Sequence, residues 1–457
     1  MIIDVNEPEA AAPPEATPIE VVDFRVGLGS ARAFYAVFVL TLVYCFAYVD
    51  RQIFNLLVTP IRKDFDISDL QVSYLLGPAF ILSYVALGLP AGWCVDRFNR
   101  RNLILCAGVC WGLGTISGAF AHSYAGLFIS RLMVGASEAI VYPAGISFIA
   151  DLFDRRRLPL ATSMFVLAPS LGGGLALIGG GLVLDHAQRQ QAVTFPMIGT
   201  LHGWQFTLLV IGFAGMIPVL LLATVRDAAR QAPKPAAVEQ YSIMKGTGYM
   251  MKKGRFYIAF FLGLGCNQLV MLTISAWAPT YLERSYKMTP GEVGTYYGPL
   301  VLLFGIIGGV ASPIVNAWLA RWWALDSTMR TVMLAPCMLI PITITLIFVH
   351  AEGPALACLA LLTLAYNFPL NMASTALQLA TPARLLGVAS AWYFIIGSLI
   401  GYGIGPTIVP FATQNLFHDP ARIGTAMGIV AALFSTLSLI LCAVALNGFQ
   451  KEQRSAL

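Results

Sequence analysis

Apolar stretches of spanning length alternate with short polar loops along nearly the whole chain. About 20 apolar residues cross a bilayer as a helix. On that measure the pattern predicts twelve spans, at roughly 33–59, 72–94, 102–121, 126–150, 158–183 and 204–225, then 256–281, 293–320, 330–350, 354–380, 385–412 and 423–448. The longest polar interval between spans, RDAARQAPKPAAVEQYSIMKGTGYMMKKGR from Arg226 to Arg255, divides them six and six. The fold this predicts is an all-α polytopic membrane protein of two pseudo-symmetric six-helix bundles. The units are a tail over 1–32, a first bundle over 33–225, a linker over 226–255, a second bundle over 256–448 and a short tail over 449–457.

Charge sets the expected orientation. Placing both termini in the cytoplasm puts the linker's seven Lys and Arg there, together with Arg97, Arg100, Arg101 and Arg155 to Arg157. The opposite loops keep only Arg62, Lys63, Arg189, Arg284, Lys287 and Arg422. That bias follows the positive-inside rule and points to a multi-pass protein of the cell's inner membrane. Of the 457 residues, 58% are hydrophobic and only 11% charged, against about 25% charged in soluble domains. The net charge of +5 is spread over loops and makes no nucleic-acid patch. The acidic, Pro/Ala-rich start lacks a signal peptide's basic end and apolar core, and reads as a cytoplasmic tail with an interfacial helix near Val21 to Val26. All eight cysteines read as buried thiols, and no metal cluster or cofactor motif is predicted.

Against this background CFAYVDRQIF stands out, because it sets Asp50 and Arg51 inside span one. A charge at the centre of a membrane helix costs about 2.5–3.5 kcal/mol on insertion scales. Neighbouring side chains diverge by about 100° around a helix, so these two cannot bond well to each other. Span four carries Arg131 and Glu138, seven residues apart, on one face but at different heights. Pairing between spans one and four would gather two acids and two bases into a neutral cluster. Such a cluster is either a static clamp or a switch that follows protonation, and the second reading is preferred because buried acids respond to their surroundings. Asp50 and Glu138 are the expected proton acceptors, with Arg51 trading partners between them and Arg131 as an anchor. The second bundle is expected to hold no deep charge. Its polar groups are Asn267 and Gln268 in span seven, Tyr366, Asn367, Asn371 and Gln378 in span ten, and Tyr402 in span eleven. A cavity between a charged wall, offering Arg51 and Glu138, and this uncharged wall would be amphipathic. Some of these amides would instead only tie helices together.

Two motifs remain. GWCVDRFNRR after span two places Gly92, Asp96, Arg97, Arg100 and Arg101 in one loop, and LAPSLGGGLALIGGG in span five holds Pro169 among glycines. Pro169 can kink the helix and the glycines allow close packing, the plainer reading of that run. The first motif resembles the Gly-x-x-x-Asp-Arg-x-Gly-Arg-Arg signature of the major facilitator superfamily, with Asn99 in place of a glycine. The second resembles a motif of that superfamily's antiporters. In such a protein these residues would gate the cytoplasmic side and hold the outward-facing state through contacts between the halves. YVDRQIFNLLVTPIRKDF and RLMVGASEAIVYPAGISFIADLF, with GWCVDRFNRR, are together similar to bacterial members of the Spinster family. That likeness implies a monomeric, proton-linked transporter of lysophospholipid or sphingoid-phosphate type lipids, with Asp50, Arg51 and Glu138 at its coupling positions. A proton-coupled carrier of small organic or aromatic anions is the alternative. An intramembrane enzyme is disfavoured by the lack of a Ser/His/Asp set or a Gly-x-Ser-x-Gly elbow.

Overall fold

A computed structural model describes residues 30–153, 157–190, 193–195, 199–225, 243–382 and 385–456. The expected tail helix near Val21, the basic pair Arg155 and Arg156, and the linker before Ile243 lie outside the described residues. Twelve helices are long and apolar enough to cross a membrane. The first six are Ala31–Ile53, Asp69–Gly88, Arg100–Ala119, Tyr124–Leu152, Leu158–Arg189 and Gly203–Leu222. The second six are Gly254–Tyr286, Pro290–Leu319, Ser327–Phe348, Glu352–Ala380, Leu386–Asn415 and Pro420–Lys451. We call the end that carries the first residues of span one proximal and the other end distal.

The hydropathy pattern located every span, and the differences lie at the ends. Span one stops at Ile53 because Asn55, Leu56 and Leu57 each bond three residues back, a tightening that closes the helix. A short helix, Val58–Phe65, then runs along the distal end. Span five is interrupted at Leu167, two residues before Pro169, which has no N–H to continue the ladder. Span seven runs to Tyr286 and is capped by Lys287 in the left-handed region, φ 59°. The expected end at 281 follows hydropathy, whereas the backbone ladder continues through the charged Glu283 and Arg284. A two-stranded antiparallel hairpin, Val193–Phe195 with Gly199–Leu201, adds strand to the distal loop after span five. The linker contains a helix, Ile243–Lys252, where Thr247 accepts a 2.9 Å bond from the indole of Trp392 on span eleven.

Large apolar side chains face outward, Leu82 at 64% exposure and Ile129 at 63% among them. That inverted surface is what a hydrocarbon solvent accepts. It also corrects the reading of the cysteines: Cys106, Cys110 and Cys337 are exposed on the bundle's outside, because an apolar thiol need not be in the core to avoid water.

The core is divided unequally. At the distal end one apolar cluster joins the halves, with Ile53, Phe54 and Leu57 of the first packed with Val270, Ile274 and Trp277 of the second. Towards the proximal end the core splits. One cluster, built around Val37, Trp111, Phe148 and Phe165, belongs mainly to the first half, and another, around Phe256, Phe260 and Phe449, to the second. Distal union requires close backbone approach, which span five supplies. A Cβ at Gly181 would stand 2.5 Å from the Pro290 carbonyl oxygen and 3.0 Å from Gly294 Cα of span eight. The molecule is therefore closed distally and parted proximally.

Two outcomes follow from this packing. Gly181→Leu should force spans five and eight apart, costing the distal-closed state about 1–3 kcal/mol. Spin-label distances should then report a larger distally open population. Asp326, outside the spans, accepts from Arg330 at 3.0 Å and from Gln450 at 2.5 Å, tying the start of span nine to the end of span twelve. Burial works to raise its carboxyl, but these two hydrogen bonds together with the charge of Arg330 and a backbone hydrogen bond outweigh it and hold it below the usual range. A depressed folded value gives stability that is present above the unfolded value, about 3.9, and lost as pH falls through the folded one. Asp326→Asn should cost about 1.5–3 kcal/mol at neutral pH, the range for bonds to a charged group. In thermal melts that deficit should shrink as pH drops below about 4.

Candidate coupling and substrate site

Span one delivers Asp50 and Arg51 to the junction of the two halves, one turn before its helix ends. Arg51 Nη2 pairs with Glu138 Oε2 of span four, and Nη1 donates to the Tyr402 hydroxyl of span eleven at 2.9 Å. Its guanidinium lies 4.2 Å from the centre of the Phe80 ring, with Tyr48, Tyr402 and Tyr84 at 5.1, 5.6 and 5.8 Å. Asp50 faces the other way. Its Oδ1 accepts from the Thr115 hydroxyl at 2.6 Å, and Oδ2 is 3.9 Å from Arg131 Nη1. Arg131 in turn donates from Nε to the Leu75 carbonyl at 3.2 Å and lies 4.1 Å over Phe54. Asp50, Arg131 and Glu138 are all buried.

The four charges thus meet across helices, as two pairs joined by geometry rather than one saturated knot. Asp50 Oδ2, Glu138 Oε1 and both terminal nitrogens of Arg131 lack a hydrogen-bond partner. In a low-dielectric interior each such atom is costly. Protonating one acid removes part of that cost and also the attraction that holds its arginine.

Beside the cluster, towards the proximal end, a cavity of about 490 Å³ opens between the halves. Its walls are Tyr84, Tyr142 and Pro143 from spans two and four, and Gln378, Tyr393 and Phe394 from spans ten and eleven. Tyr84 belongs to both places, since its ring also flanks Arg51. A cationic head position at one end and an aromatic, mostly apolar body make the space amphipathic.

Of the residues expected to line such a cavity, Gln378 does so, and Tyr402 meets the charge cluster instead. Others serve helix contacts. Asn267 donates to the Tyr366 carbonyl at 3.3 Å, Tyr366 to Thr363 Oγ1 at 3.3 Å, and Asn367 to the Thr363 carbonyl at 2.8 Å. Asn371 donates to the Gly309 carbonyl of span eight at 2.9 Å, and Gln268 packs against Gly397 and Gly401 of span eleven. Amides at this depth find carbonyls before they find a ligand. The aromatic lining was not singled out in the sequence, because Tyr and Phe facing a cavity follow the same helical spacing as those facing lipid.

The loop after span two also differs from its expected use. Arg100 pairs with Asp151, Arg101 donates to the Leu222 and Ala223 carbonyls, and Arg97 lies 4.4 Å over Trp93. The ion pair and both carbonyl bonds stay within the first half. A Cβ at Gly92 would meet nothing within 4 Å, so no helix approaches it while the halves are parted here. Asn99, in the place of a glycine, caps span three by accepting from the Asn102 N–H at 2.9 Å. The Asp96 side chain lies outside what the structure describes.

Contacts between the halves are found at the distal end, where no gate was expected. Arg284 holds Asp69 with two bonds, 2.7 and 2.8 Å, and Arg62 reaches the same carboxylate at 3.3 Å. Thr59 donates to Glu283 at 2.7 Å, and Ser275 to Gln52 at 3.1 Å. Glu283 stands near the distal end of span seven rather than deep in the membrane, and it was not singled out because the expected span ends at 281.

With the geometry in place, comparison with known proteins is informative. The family model described as Major Facilitator Superfamily matches residues 40–406. An MFS-type efflux pump of Mycolicibacterium smegmatis is 27% identical over 430 residues, covering 90% of this chain and 92% of the pump. Protein spinster homolog 1 of Xenopus laevis is 30% identical over 303 residues, 62% of this chain and 54% of that protein, so the match spans about half of its length. Among solved structures, a bacterial homolog to the human lysosomal transporter Spinster, in an inward-facing and unoccupied conformation, superposes with a TM-score of 0.73. It is 18% identical and covers 93% of this chain and 98% of that one, a likeness of fold. The Spinster resemblance read from spans one to four is borne out by these relatives.

The bond from Arg51 to Tyr402 links the charge cluster to the opposite half. Tyr402→Phe should keep the ring contact with Phe80 and lose only that bond, costing the distal-closed state about 1.5–3 kcal/mol. Distances between the proximal ends of the two halves should then show a more closed population at unchanged thermal stability in detergent.

Proposed function

This chain belongs to the Major Facilitator Superfamily, and from that membership we propose that it is a proton-coupled secondary transporter of amphipathic lipids of lysophospholipid or sphingoid-phosphate type. It works by alternating access, as a monomer in the cell's inner membrane, with the proximal end and both termini in the cytoplasm. The observation that carries this reading is the joining of one mostly buried cation, Arg51, to an aromatic cavity of about 490 Å³. A cavity of that size falls within the range of about 300–1,000 Å³ usual for small-molecule sites. An anionic headgroup would meet Arg51, and a single apolar chain would lie along Tyr84, Tyr142, Tyr393 and Phe394.

Coupling rests on competition for Arg51. With Asp50 and Glu138 both ionised, the two acids hold the two arginines. A proton on Glu138 releases Arg51 from span four, leaving it Tyr402 and an incoming headgroup. A proton on Asp50 removes the countercharge of Arg131, which is otherwise held by one backbone carbonyl. Removing one partner of a buried pair costs about 3–5 kcal/mol, enough to reverse states separated by a few kcal/mol. Gly92, Asp96, Arg97, Arg100 and Arg101 would close the proximal end in the other state, and the break at Pro169 gives span five a bending point.

Reconstituted in proteoliposomes, the protein should move a labelled lysolipid or sphingoid phosphate faster when a pH gradient is imposed. Asp50→Asn should abolish the gradient's effect while ligand binding to Arg51 persists, and Glu138→Gln should weaken coupling as well. Transport of short aromatic acids with no response to any single-chain lipid would support the small-anion reading instead. Gradient-driven transport that survives Asp50→Asn would reduce the cluster to a clamp.

A further inference from the structure

Four contacts form a ladder between the halves, from mid-membrane to the distal end: Arg51 with Tyr402, Gln52 with Ser275, Thr59 with Glu283, and Asp69 with Arg284. Arg51 keeps a buried Nε without a hydrogen bond, but on the acidic side both Asp69 oxygens are bonded and Glu283 is the exception. One oxygen accepts from Thr59 across the interface, while Oε1 is buried with no hydrogen-bond partner. The bases nearby are already engaged. Arg284, next on the same helix, spends two donors on Asp69, and Arg62 of the short helix after span one is turned to the same acid.

Among the described residues the other groups around this end of span seven give Glu283 no hydrogen bond or ion pair: His350 lines the same pocket as Tyr281 and Tyr286, Lys287 caps the helix, and Lys63 lies on the short helix that carries Thr59. The Tyr281 and Tyr286 hydroxyls bond each other at 2.9 Å, and Arg422, before span twelve, is 3.5 Å from Asp419. Glu352, opening span ten, is a further acid and is exposed. The helix over Gly405–Asn415, which also packs on span seven, carries no titratable residue.

We infer that Glu283 is a proton-sensing gate residue: it is ionised when the distal path is open and carries a proton on Oε1 when the path is closed. This rests on the reading of the chain as a proton-coupled carrier. With the halves apart at this end, water on the distal side hydrates both carboxylate oxygens. Closing strips that water and returns only one donor, the Thr59 hydroxyl. An anion there would leave a bare charged oxygen in the interface, which burial penalises strongly. A proton taken from the distal solution neutralises it, and reopening returns the proton to the same side. Glu283 therefore moves no proton across the membrane. It makes distal closure easier in acid and leaves net transfer to Asp50 and Glu138, so it is a positioning residue for the gate.

The test reads the gate without a substrate. On a full-length background whose native cysteines are replaced, spin labels at Gln190 and Ala351 report the distal separation of the halves. Between about pH 8 and pH 5, a range that brackets a perturbed carboxyl, the closed population should rise as pH falls. Asp50→Asn with Glu138→Gln should leave part of this response, and adding Glu283→Gln should remove it and hold the gate closed throughout. The amide keeps an oxygen for Thr59, so a merely structural Glu283 predicts an unmoved pH profile. Thr59→Val is the second variant: the Thr59 bond forms only when the halves meet, so losing it destabilises the closed, protonated state and should shift the closing midpoint to lower pH. A pH response that persists in the triple variant, or a midpoint untouched by Thr59→Val, overturns the inference. Loss of gradient-driven lipid transport is scored separately in the liposome assay, so failure of the lipid reading leaves this result standing.

Discussion

A charge in the membrane interior must be answered by another, and the distribution of charge in this chain leaves span one with two charges that cannot answer each other. Asp50 and Arg51 are consecutive, so a helix points them to different neighbours. Arg51 turns to Glu138 and Tyr402, and Asp50 to Thr115 and Arg131. Spans one, three, four and eleven are fixed relative to one another by that single divergence. Replacing either residue leaves a partner buried without its charge, so the constraint works on conformation as much as on stability.

The apolar packing makes this constraint useful. A uniformly packed interface would hold the halves together at every depth, and the charges would only add rigidity. Here the joint core is confined to the distal side of the cluster, while the proximal cores belong mainly to separate halves. The cluster lies where union gives way to separation, so a small change in its pairing acts at a hinge. The cavity occupies the space left by that separation, and its aromatic walls still touch across it where the Tyr84 and Phe394 rings lie 5.8 Å apart. Among the described residues the arginines of the loop after span two, with partners on the first half, fit a proximal end that is parted.

How much of this the sequence disclosed depends on whether each feature had a local signature. Span number and order follow from runs of about 20 apolar residues, and all twelve were legible. Asp50, Arg51, Arg131 and Glu138 were legible as charges against an apolar background, and the pairing partner of each span-one residue had only to be sought on another span. Glu283 was not, because it follows the last apolar residue of its span and hydropathy cannot see that the ladder runs on to Tyr286. The amides are harder to read from sequence, because a buried amide can bond a neighbouring carbonyl as well as a ligand: Asn267 and Asn367 both donate to carbonyls of span ten, while Asn267 keeps a buried Oδ1 without a partner. Tyr84 and Phe394 gave no signal at all, since lipid and cavity select the same rings.

The Arg51 guanidinium connects these levels because it holds partners of different kinds on different halves. Its bond to Glu138 lies within the first half and depends on the charge of that acid, whereas its bond to Tyr402 crosses to the second half. A group with two such bonds transmits in both directions by linkage: what weakens the first frees the arginine for other partners, and what breaks the second alters the field at Glu138. Phe80 and Tyr84 hold the guanidinium plane by their ring faces, so it can exchange acceptors without leaving its place. A lysine would carry the same charge but not the flat, many-donor shape that lets one cation serve a carboxylate, a phenol and a ring together. Span one therefore requires arginine at this position for geometric reasons as well as for its charge.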